Sequence, residues 1–259
     1  MRERDRPAAS AGPSPRVRSE RLRTPFFWLL AAIVLPVMNA SVRWDIRDGH
    51  KLPKQGAFIL VPNHYTQIDP VVTGIALWKM GRVPRFLAKA SLFRVPVLGA
   101  IMRASGQIPV ERGAGRGADP LAAAGHLLAK GNAIIIYPEG TLTREPDLWP
   151  MRGRAGAVRA ALEHGIPIVP MAHWGSQGLM ARYGKRVSLF QRKPVQIIIG
   201  DPIDLSAVAG RTHDKTALEA ASAQVMHEVA RLLGELRGET PPAELWDPAK
   251  HDQKETGRP

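Results

Sequence analysis

Residues 57–70 of the chain read Ala-Phe-Ile-Leu-Val-Pro-Asn-His-Tyr-Thr-Gln-Ile-Asp-Pro. The apolar run at 57–61 predicts a short strand that ends at Pro62. Asp69 followed by Pro70 has the form of a helix N-cap and a first helical residue, so a helix is expected to start five positions after His64. His64 is therefore placed in a loop beyond a strand end, where α/β folds commonly carry their sites.

The same alternation of short apolar runs and helical patterns continues along the chain from Gly56. The candidate strands are residues 57–61, 85–88, 107–110, 133–137, 166–170 and 195–199. The candidate helices are residues 70–80, 92–103, 120–130, 155–164 and 215–237. Such alternation is typical of α/β folds, and we predict a single domain whose mixed, mostly parallel central sheet is flanked by helices.

The length of 259 residues suits one catalytic domain with tails. We expect a disordered basic arm at 1–24, a membrane-associated apolar segment at 25–48 and the catalytic domain at 49–237. A mobile C-terminal tail is expected at 238–259, because the sequence after Gly238 is charged and rich in proline.

The formal net charge of +13 needs an anionic partner to explain it. Nucleic acid, anionic lipid headgroups and a phosphorylated substrate are the three candidates. Aromatic residues make up only 6% of the chain and do not interleave with basic ones, so no nucleic acid is expected and lipid or phosphate is favoured. The chain has no cysteine, which excludes disulfides, thiolate nucleophiles and zinc–thiolate sites.

The most apolar segment, residues 26–38, is shorter than the roughly 20 residues that cross a bilayer as a helix. We predict a peripheral or monotopic segment at the cytoplasmic face of the cell membrane. Trp28 and Trp44 suit the membrane–water boundary, and the seven arginines between Arg2 and Arg23 suit an anionic membrane surface. A secretory signal peptide and an ordinary buried helix are the alternatives.

His64 and Asp69 are close enough on a short loop to interact. If the carboxylate accepts a hydrogen bond from one ring nitrogen, the other nitrogen can take a proton from an alcohol, as in the general-base half of a serine hydrolase site. The alternative is structural, since Asp-Pro at a helix start needs no catalytic explanation.

A second feature is the strand at 133–137, which runs into Pro138-Glu139-Gly140-Thr141. A turn containing Gly140 and Thr141 is a suitable place for backbone amides to face an anion. Glu139 has two interpretations: a residue of the site, or one that fixes the loop by accepting backbone or arginine hydrogen bonds.

Basic residues follow two other candidate strands. Arg112 lies just beyond 107–110 and could form bidentate bonds with a phosphate, and Lys89 could join it. Either could instead be a solvated surface charge. No paired histidine spacing is present, so no catalytic metal is expected. Ser176 does not fit the G-x-S-x-G hydrolase elbow, because Trp174 occupies the first glycine position.

Taken together, four blocks resemble those of the glycerolipid acyltransferases typified by bacterial 1-acyl-sn-glycerol-3-phosphate acyltransferase. The blocks are Asn63-His64 with Asp69, and residues 106–112, 138–141 and 168–171. The resemblance covers roughly residues 56–202 and implies transfer of a fatty acyl group to the free hydroxyl of lysophosphatidic acid, giving phosphatidic acid. The donor would be acyl-CoA or acyl-carrier protein, as a co-substrate rather than a bound cofactor.

The resemblance also implies roles for individual residues. His64 would be the base, Asp69 its orienting partner and Arg112 the ligand of the acceptor phosphate. Glu139, Gly140 and Thr141 fall on the block that forms the acceptor site.

One position departs from the family pattern, in which arginine commonly follows Glu-Gly-Thr. Here the next residue is Leu142, so the phosphate contact could have moved to Arg144, Arg152 or Arg154. The acceptor could equally be another lysophospholipid, glycerol-3-phosphate or a glycolipid. From a different class, a basic membrane-binding protein without turnover would share the charge and the apolar segment, but it would not need His64 and Asp69.

Overall fold

Seven strands form two sheets in the computed structural model, which describes residues 25–110, 125 and 127–254. The strands are β1 Val42–Arg47, β2 Phe58–Pro62, β3 Leu87–Lys89, β4 Ile108–Val110, β5 Ala133–Ile135, β6 Ile168–Trp174 and β7 Lys193–Ile199. The central sheet has the order β1-β7-β6-β2-β5, and β3 and β4 form a parallel two-stranded sheet at the side. Phe86, just before β3, bridges to Ile135 of β5 and so joins the two sheets.

Strand directions in the central sheet are mixed but mostly parallel, which confirms the predicted fold class. β2 pairs in parallel with β5 and β6, and β1 pairs in parallel with β7. Among the described strands, the antiparallel pairing joins β6 to β7. The carboxyl ends of β2, β5 and β6 therefore lie at the same sheet edge as the starts of β1 and β7.

Five α-helices are described. They are α1 Pro25–Ser41, α2 Asp69–Lys79, α3 Leu98–Ala104, α4 Gly156–His164 and α5 Lys215–Arg237. Single turns of 3-10 helix occur at Gly49–Lys51, Ala90–Arg94, Ser176–Gly178, Ser206–Val208 and Pro248–His251. The helix predicted at 92–103 is in fact split, because a 3-10 turn ends before Pro96 and α3 begins after it. Of the helix predicted at 120–130, only residues 125 and 127–130 are among those described.

The two faces of the central sheet bury separate apolar clusters, as the period of two along a strand requires. On β2, Phe58 and Leu60 pack with α2, whereas Ile59 and Val61 pack with α4 and α5. Helix α5 is well defined by its ends: the Asp214 side chain accepts a hydrogen bond from the Ala217 amide, and Gly238 closes the helix at φ 67°. Layers of helices thus cover both faces.

Two predicted boundaries are corrected by the structure. Residues 42–47 belong to the central sheet as β1, not to the apolar N-terminal segment. Residues 239–254 pack on the domain instead of forming a mobile tail: Met151 bridges to Trp246, and the Trp246 ring stacks on His251 at 3.6 Å. Proline and charge in this stretch suggested a tail, but Leu245 packs against the core, and the Arg152 amide donates a hydrogen bond to the Trp246 carbonyl at 2.8 Å. The arm predicted at 1–24 lies outside the described residues.

Helix α1 lies on the domain with one side turned outward. Phe27 and Met38 are buried, whereas Leu29 and Ile33 are 61% and 63% exposed. The helix contains no charged side chain. Among the described residues, no helix combines the length and apolar character needed to span a bilayer.

Candidate functional site

His64 and Asp69 meet at the carboxyl edge of β2, where the chain turns from the strand into α2. His64 Nδ1 lies 3.0 Å from Asp69 Oδ2. Because a carboxylate only accepts hydrogen bonds, Nδ1 carries the proton and Nε2 is left with its lone pair. The His64 side chain is 16% exposed and lines a cavity, whereas Asp69 is fully buried.

Asp69 is held by a set of converging donors. Its Oδ2 accepts hydrogen bonds from the backbone amides of Tyr65 and Thr66 at 2.7 and 2.8 Å. Its Oδ1 accepts from the Thr66 hydroxyl and from Ser176 Oγ, the latter at 2.6 Å. Burial by itself raises the pKa of Asp69, but the neighbouring imidazole of His173 and the hydrogen bond from His64 outweigh burial and lower the pKa from 3.8 to about 2. Asp69 is therefore a fixed anion beside His64.

Ser176 and His173 reach Asp69 from β6 and the turn after it, and sequence reasoning assigned neither to the site. Ser176 follows Gly175, whose φ of 109° and closeness to the Pro194 carbonyl leave no space for a Cβ. His173 is fully buried, with Nε2 3.9 Å from Asp69 Oδ2. Burial lowers the pKa of His173, although the Asp69 carboxylate and the hydrogen bond to the Asn63 backbone act in the opposite direction.

Asn63, the residue before His64, is joined to His173 by three hydrogen bonds. The side-chain Nδ2 of Asn63 donates to the His173 carbonyl at 3.1 Å, and the backbone amide of His173 donates to Asn63 Oδ1 at 2.9 Å. His173 Nε2 lies 3.0 Å from the Asn63 carbonyl oxygen, to which it donates. These bonds join the ends of β2 and β6.

Glu139 makes the contacts expected if it fixes the loop. The backbone amide of His64 donates to its Oε1 at 3.0 Å, and the amide of Met151 donates to its Oε2 at 3.2 Å. The side chain is 2% exposed. Burial raises the pKa of Glu139 from 4.5 to about 8, although the amides of Met151 and His64 act in the opposite direction. Glu139 thus positions the backbone of His64.

A cavity of about 1170 Å³ opens beside His64. Along α2 its wall is one helical stripe, formed by Pro70, Val71, Gly74, Ile75 and Trp78. Helix α1 closes another side through Phe27, Leu30, Ala31, Val34 and Leu35. The His64 end also contains Tyr137, whose ring centroid is 4.2 Å from that of His64. The interior is largely apolar.

The predicted binding residues are distributed unevenly around this cavity. Lys89, Gly140 and Arg154 line it, and so does Arg159, which sequence reasoning missed. Gly140 has φ 69°, and a Cβ there would lie 3.5 Å from Arg154 Nε, so the turn brings the two together.

The other predicted binding residues that the structure describes do not line the cavity. Arg144 is only 5% exposed, and it and Thr141 are absent from the described residues that line the cavity. The neighbours of Arg144, Leu142 and Thr143, are buried as well. Arg152 lies near Asp247, with Nε 3.7 Å from its carboxylate. Arg112 lies outside the described residues. In the described part of the chain, no group of three potential metal ligands comes together.

Comparison with known proteins places this arrangement in a family. The model of the Acyltransferase family matches residues 43–174, which include β2, β5, β6 and the His64–Asp69 loop. A chloroplastic 1-acyl-sn-glycerol-3-phosphate acyltransferase from Brassica napus is 29% identical over 187 residues, which is 71% of this chain and 52% of that protein. A 1-acyl-sn-glycerol-3-phosphate acyltransferase from Borreliella burgdorferi is 26% identical over 161 residues, 62% of each chain. The chain thus spans less than two thirds of the length of these relatives.

The fold has a counterpart of known structure. The crystal structure of the 1-acyl-sn-glycerophosphate (LPA) acyltransferase PlsC from Thermotoga maritima superposes with a TM-score of 0.57 at 23% identity. The likeness covers 85% of this chain and 78% of that one. The family match confirms the resemblance predicted from the four sequence blocks, and this chain belongs to the Acyltransferase family.

Proposed function

We propose that this protein transfers a fatty acyl group from an acyl thioester to the free hydroxyl of lysophosphatidic acid, giving phosphatidic acid for phospholipid synthesis. The observation that carries the proposal is the contact between His64 Nδ1 and the buried Asp69 carboxylate at the mouth of a large apolar cavity. The names of the relatives support the same reaction.

His64 is the proposed general base. Its Nε2 takes the hydroxyl proton of the acceptor as that oxygen attacks the thioester carbonyl carbon, and the carbon–sulfur bond then breaks. The proton passes from His64 to the departing thiolate, so no acyl-enzyme forms. The Asp69 anion stabilises the imidazolium that exists between these two proton transfers.

The cavity is suited to the acyl chain. Trp78 lies nine residues after Asp69 on α2, which corresponds to about 13 Å along the helix axis. An extended chain can therefore run along the stripe of α2 away from His64, with apolar contacts on both sides from α1 and α2. The thioester could belong to acyl-CoA or to acyl-carrier protein.

The basic side chains at the cavity suit the acceptor phosphate. Arg154 lies against Gly140, and Lys89 and Arg159 line the same space. An arginine can bind phosphate through two parallel hydrogen bonds. Family members commonly carry an arginine at the position of Leu142, where it could bind the acceptor phosphate. In this chain Arg154 binds the phosphate instead, and Arg112 remains an expected second ligand. Because Leu142 departs from the family pattern, another lysophospholipid is the second candidate acceptor.

Membrane association is proposed through α1. Its outward side carries Trp28, Leu29, Ile33 and Val37, which are 50%, 61%, 63% and 37% exposed. Exposed apolar area of this kind is stabilised by insertion among lipid headgroups and acyl chains. The opposite side of the same helix lines the cavity, so lipid substrates would enter next to the bilayer.

The decisive experiment is a panel of acceptors with one long-chain acyl-CoA. Purified full-length protein is mixed with lysophosphatidic acid, other lysophospholipids or glycerol-3-phosphate, and released CoA is followed with a thiol-reactive dye. The chain has no cysteine, so the protein itself gives no thiol signal. We expect the fastest release with lysophosphatidic acid, and phosphatidic acid as the product by mass spectrometry.

His64→Ala should lower kcat by roughly 10²–10⁴-fold, the usual range for a general base. His227→Ala is the matched control, because His227 is an exposed histidine on α5. Equal turnover by His64→Ala and the wild type would refute the mechanism, and release only with another acceptor would refute the substrate.

A further inference from the structure

A second surface with an unusual composition lies far from α1 in the sequence. Residues 181–193, called here the basic loop, follow the 3-10 turn at Ser176–Gly178 and include the first residue of β7. They contain Arg182, Lys185, Arg186, Arg192 and Lys193 and no acidic residue. In the middle of these charges, Val187 and Phe190 are 44% and 67% exposed. An exposed phenylalanine surrounded by cations is not explained by the packing of the domain.

The basic loop is held in place at several points. Arg182 donates to the Glu145 carbonyl at 2.6 Å, and the Ser188 amide donates to the Leu179 carbonyl at 2.7 Å. The Phe190 amide donates to Ser41 Oγ at 3.0 Å. Anchored in this way, the loop turns Lys185, Arg186, Phe190 and Arg192 outward, where all four are exposed.

The loop backbone is unusual as well. Tyr183, Phe190 and Arg192 have φ values of 61°, 63° and 47°, in the left-handed region that bulky side chains seldom adopt. Such conformations are costly and persist where the surrounding contacts impose them. Phe190 is one of these three residues, and its side chain is exposed.

The basic loop is hydrogen-bonded to the C-terminal end of α1. Ser41, which binds the Phe190 amide, is the last residue of α1, and its hydroxyl also donates to the Val37 carbonyl. In the sheet, Val42 is the register partner of Lys193. The loop and the end of α1 therefore lie together at the carboxyl edge of β2 and β6, the edge that carries His64.

We infer that the basic loop is a second membrane-binding element, which inserts Phe190 into an anionic bilayer surface while Lys185, Arg186 and Arg192 bind the lipid headgroups. Charge complementarity selects this partner, because each lysine or arginine near an anionic membrane is worth about a fivefold gain in affinity. Phenylalanine next to such cations is typical of segments that insert into the membrane interface. The inference extends the membrane association proposed for α1 and does not depend on acyl transfer.

Direct contact can be tested with a single-cysteine protein, since the wild-type chain has none. Phe190→Cys carries an environment-sensitive dye and is mixed with vesicles of phosphatidylcholine containing about one third phosphatidylglycerol. We expect a blue-shifted, brighter emission. The same dye at Lys54→Cys, an exposed position before β2 at the opposite sheet edge, should not respond. A dye at position 190 that remains in water on bound vesicles overturns the inference.

The role of the basic side chains is tested by measuring how much protein sediments with the same vesicles. Lys185→Glu with Arg192→Glu should weaken binding at least about tenfold, from the loss of two headgroup contacts. Lys54→Glu with Lys130→Glu makes the same change in net charge at the opposite edge and should have a much smaller effect. Equal effects of the two pairs would show a general charge effect and overturn the inference.

Two further outcomes separate this inference from the proposal for α1. If Ile33→Glu releases the protein from vesicles and the basic-loop pair does not, α1 alone binds the membrane and the inference fails. If the basic-loop pair leaves vesicle binding unchanged but abolishes binding of an acidic carrier protein or of a second copy of the chain, the surface serves that partner and the inference also fails.

Discussion

Asn63 and His173 bind each other through both their side chains and their backbones, across the ends of β2 and β6. The three contacts measure 2.9, 3.0 and 3.1 Å. Because Asn63 directly precedes His64, these hydrogen bonds fix the position of the proposed base. They also place the His173 imidazole near the Asp69 carboxylate.

A matched pair of substitutions at His173 tests this positioning role. Only Nε2 of the imidazole is bonded, whereas Nδ1 is buried without a partner among the described residues. His173→Gln can place a donor where Nε2 stands, but His173→Asn is too short. We expect His173→Asn to lower kcat by about tenfold, the value of one hydrogen bond, and His173→Gln to restore most of it. A purely structural role would instead lower thermal stability equally in both variants, with kcat unaffected.

Asp69→Asn should lower kcat at least about 10²-fold, because an amide cannot accept from every donor that surrounds the carboxylate. The variant should also change the pH dependence of stability. The pKa of Asp69 is lowered from 3.8 to about 2, so the ionised group stabilises the fold above pH 3.8, and this contribution is lost as the pH falls towards 2. The contribution is about 2 kcal/mol, since one pKa unit corresponds to about 1.4 kcal/mol.

Denaturant unfolding of wild type and Asp69→Asn across this pH range measures the effect. The difference between their free energies of unfolding should shrink in acid. A difference that stays constant down to pH 2 would contradict an ionised Asp69 in the folded state.

Glu139→Gln tests the opposite pKa shift. Burial raises the pKa of Glu139 from 4.5 to about 8, so the folded state binds a proton that the unfolded state releases between these values. Wild-type stability should therefore fall with rising pH over this window, by on the order of 1 kcal/mol per pH unit, and level off above pH 8. Glutamine does not titrate, so the melting temperature of Glu139→Gln should improve relative to wild type from pH 5 to 8. Parallel curves for the two proteins would mean that Glu139 is ionised throughout.

Gly74→Leu tests the path proposed for the acyl chain. Gly74 lies five residues after Asp69, about 7 Å along α2, and a Cβ there would meet Phe86 at 3.3 Å. A leucine must therefore extend into the cavity and block its far half. We expect kcat/KM to fall at least tenfold for long-chain acyl-CoA and little for short-chain acyl-CoA, because a filled cavity removes the apolar contacts of the distal carbons.

The control for this variant is Gly156→Ala at the same cavity, where an added Cβ meets no atom within 4 Å. It should leave the chain-length preference unchanged. Equal losses for short and long chains in Gly74→Leu would place the acyl chain elsewhere.

The sequence by itself determined the local features of this protein. The strand, loop and helix at 57–70 follow from an apolar run, a turn and an Asp-Pro helix start, and the closeness of His64 to Asp69 follows from a separation of only five residues. The alternation of strands and helices likewise predicted the layered fold. These features depend on contacts between near neighbours in the chain, which composition and spacing report directly.

Only the tertiary structure decided which distant residues complete the candidate site. Ser176 and His173 lie more than 100 residues from Asp69 and Asn63, and they arrive because β6 pairs with β2. The role of Glu139 beside the His64 amide, the membership of residues 42–47 in the sheet and the burial of Arg144 depend on the same strand order. A pairing between strands is set by packing summed over the whole core, and no local pattern in the chain records that sum.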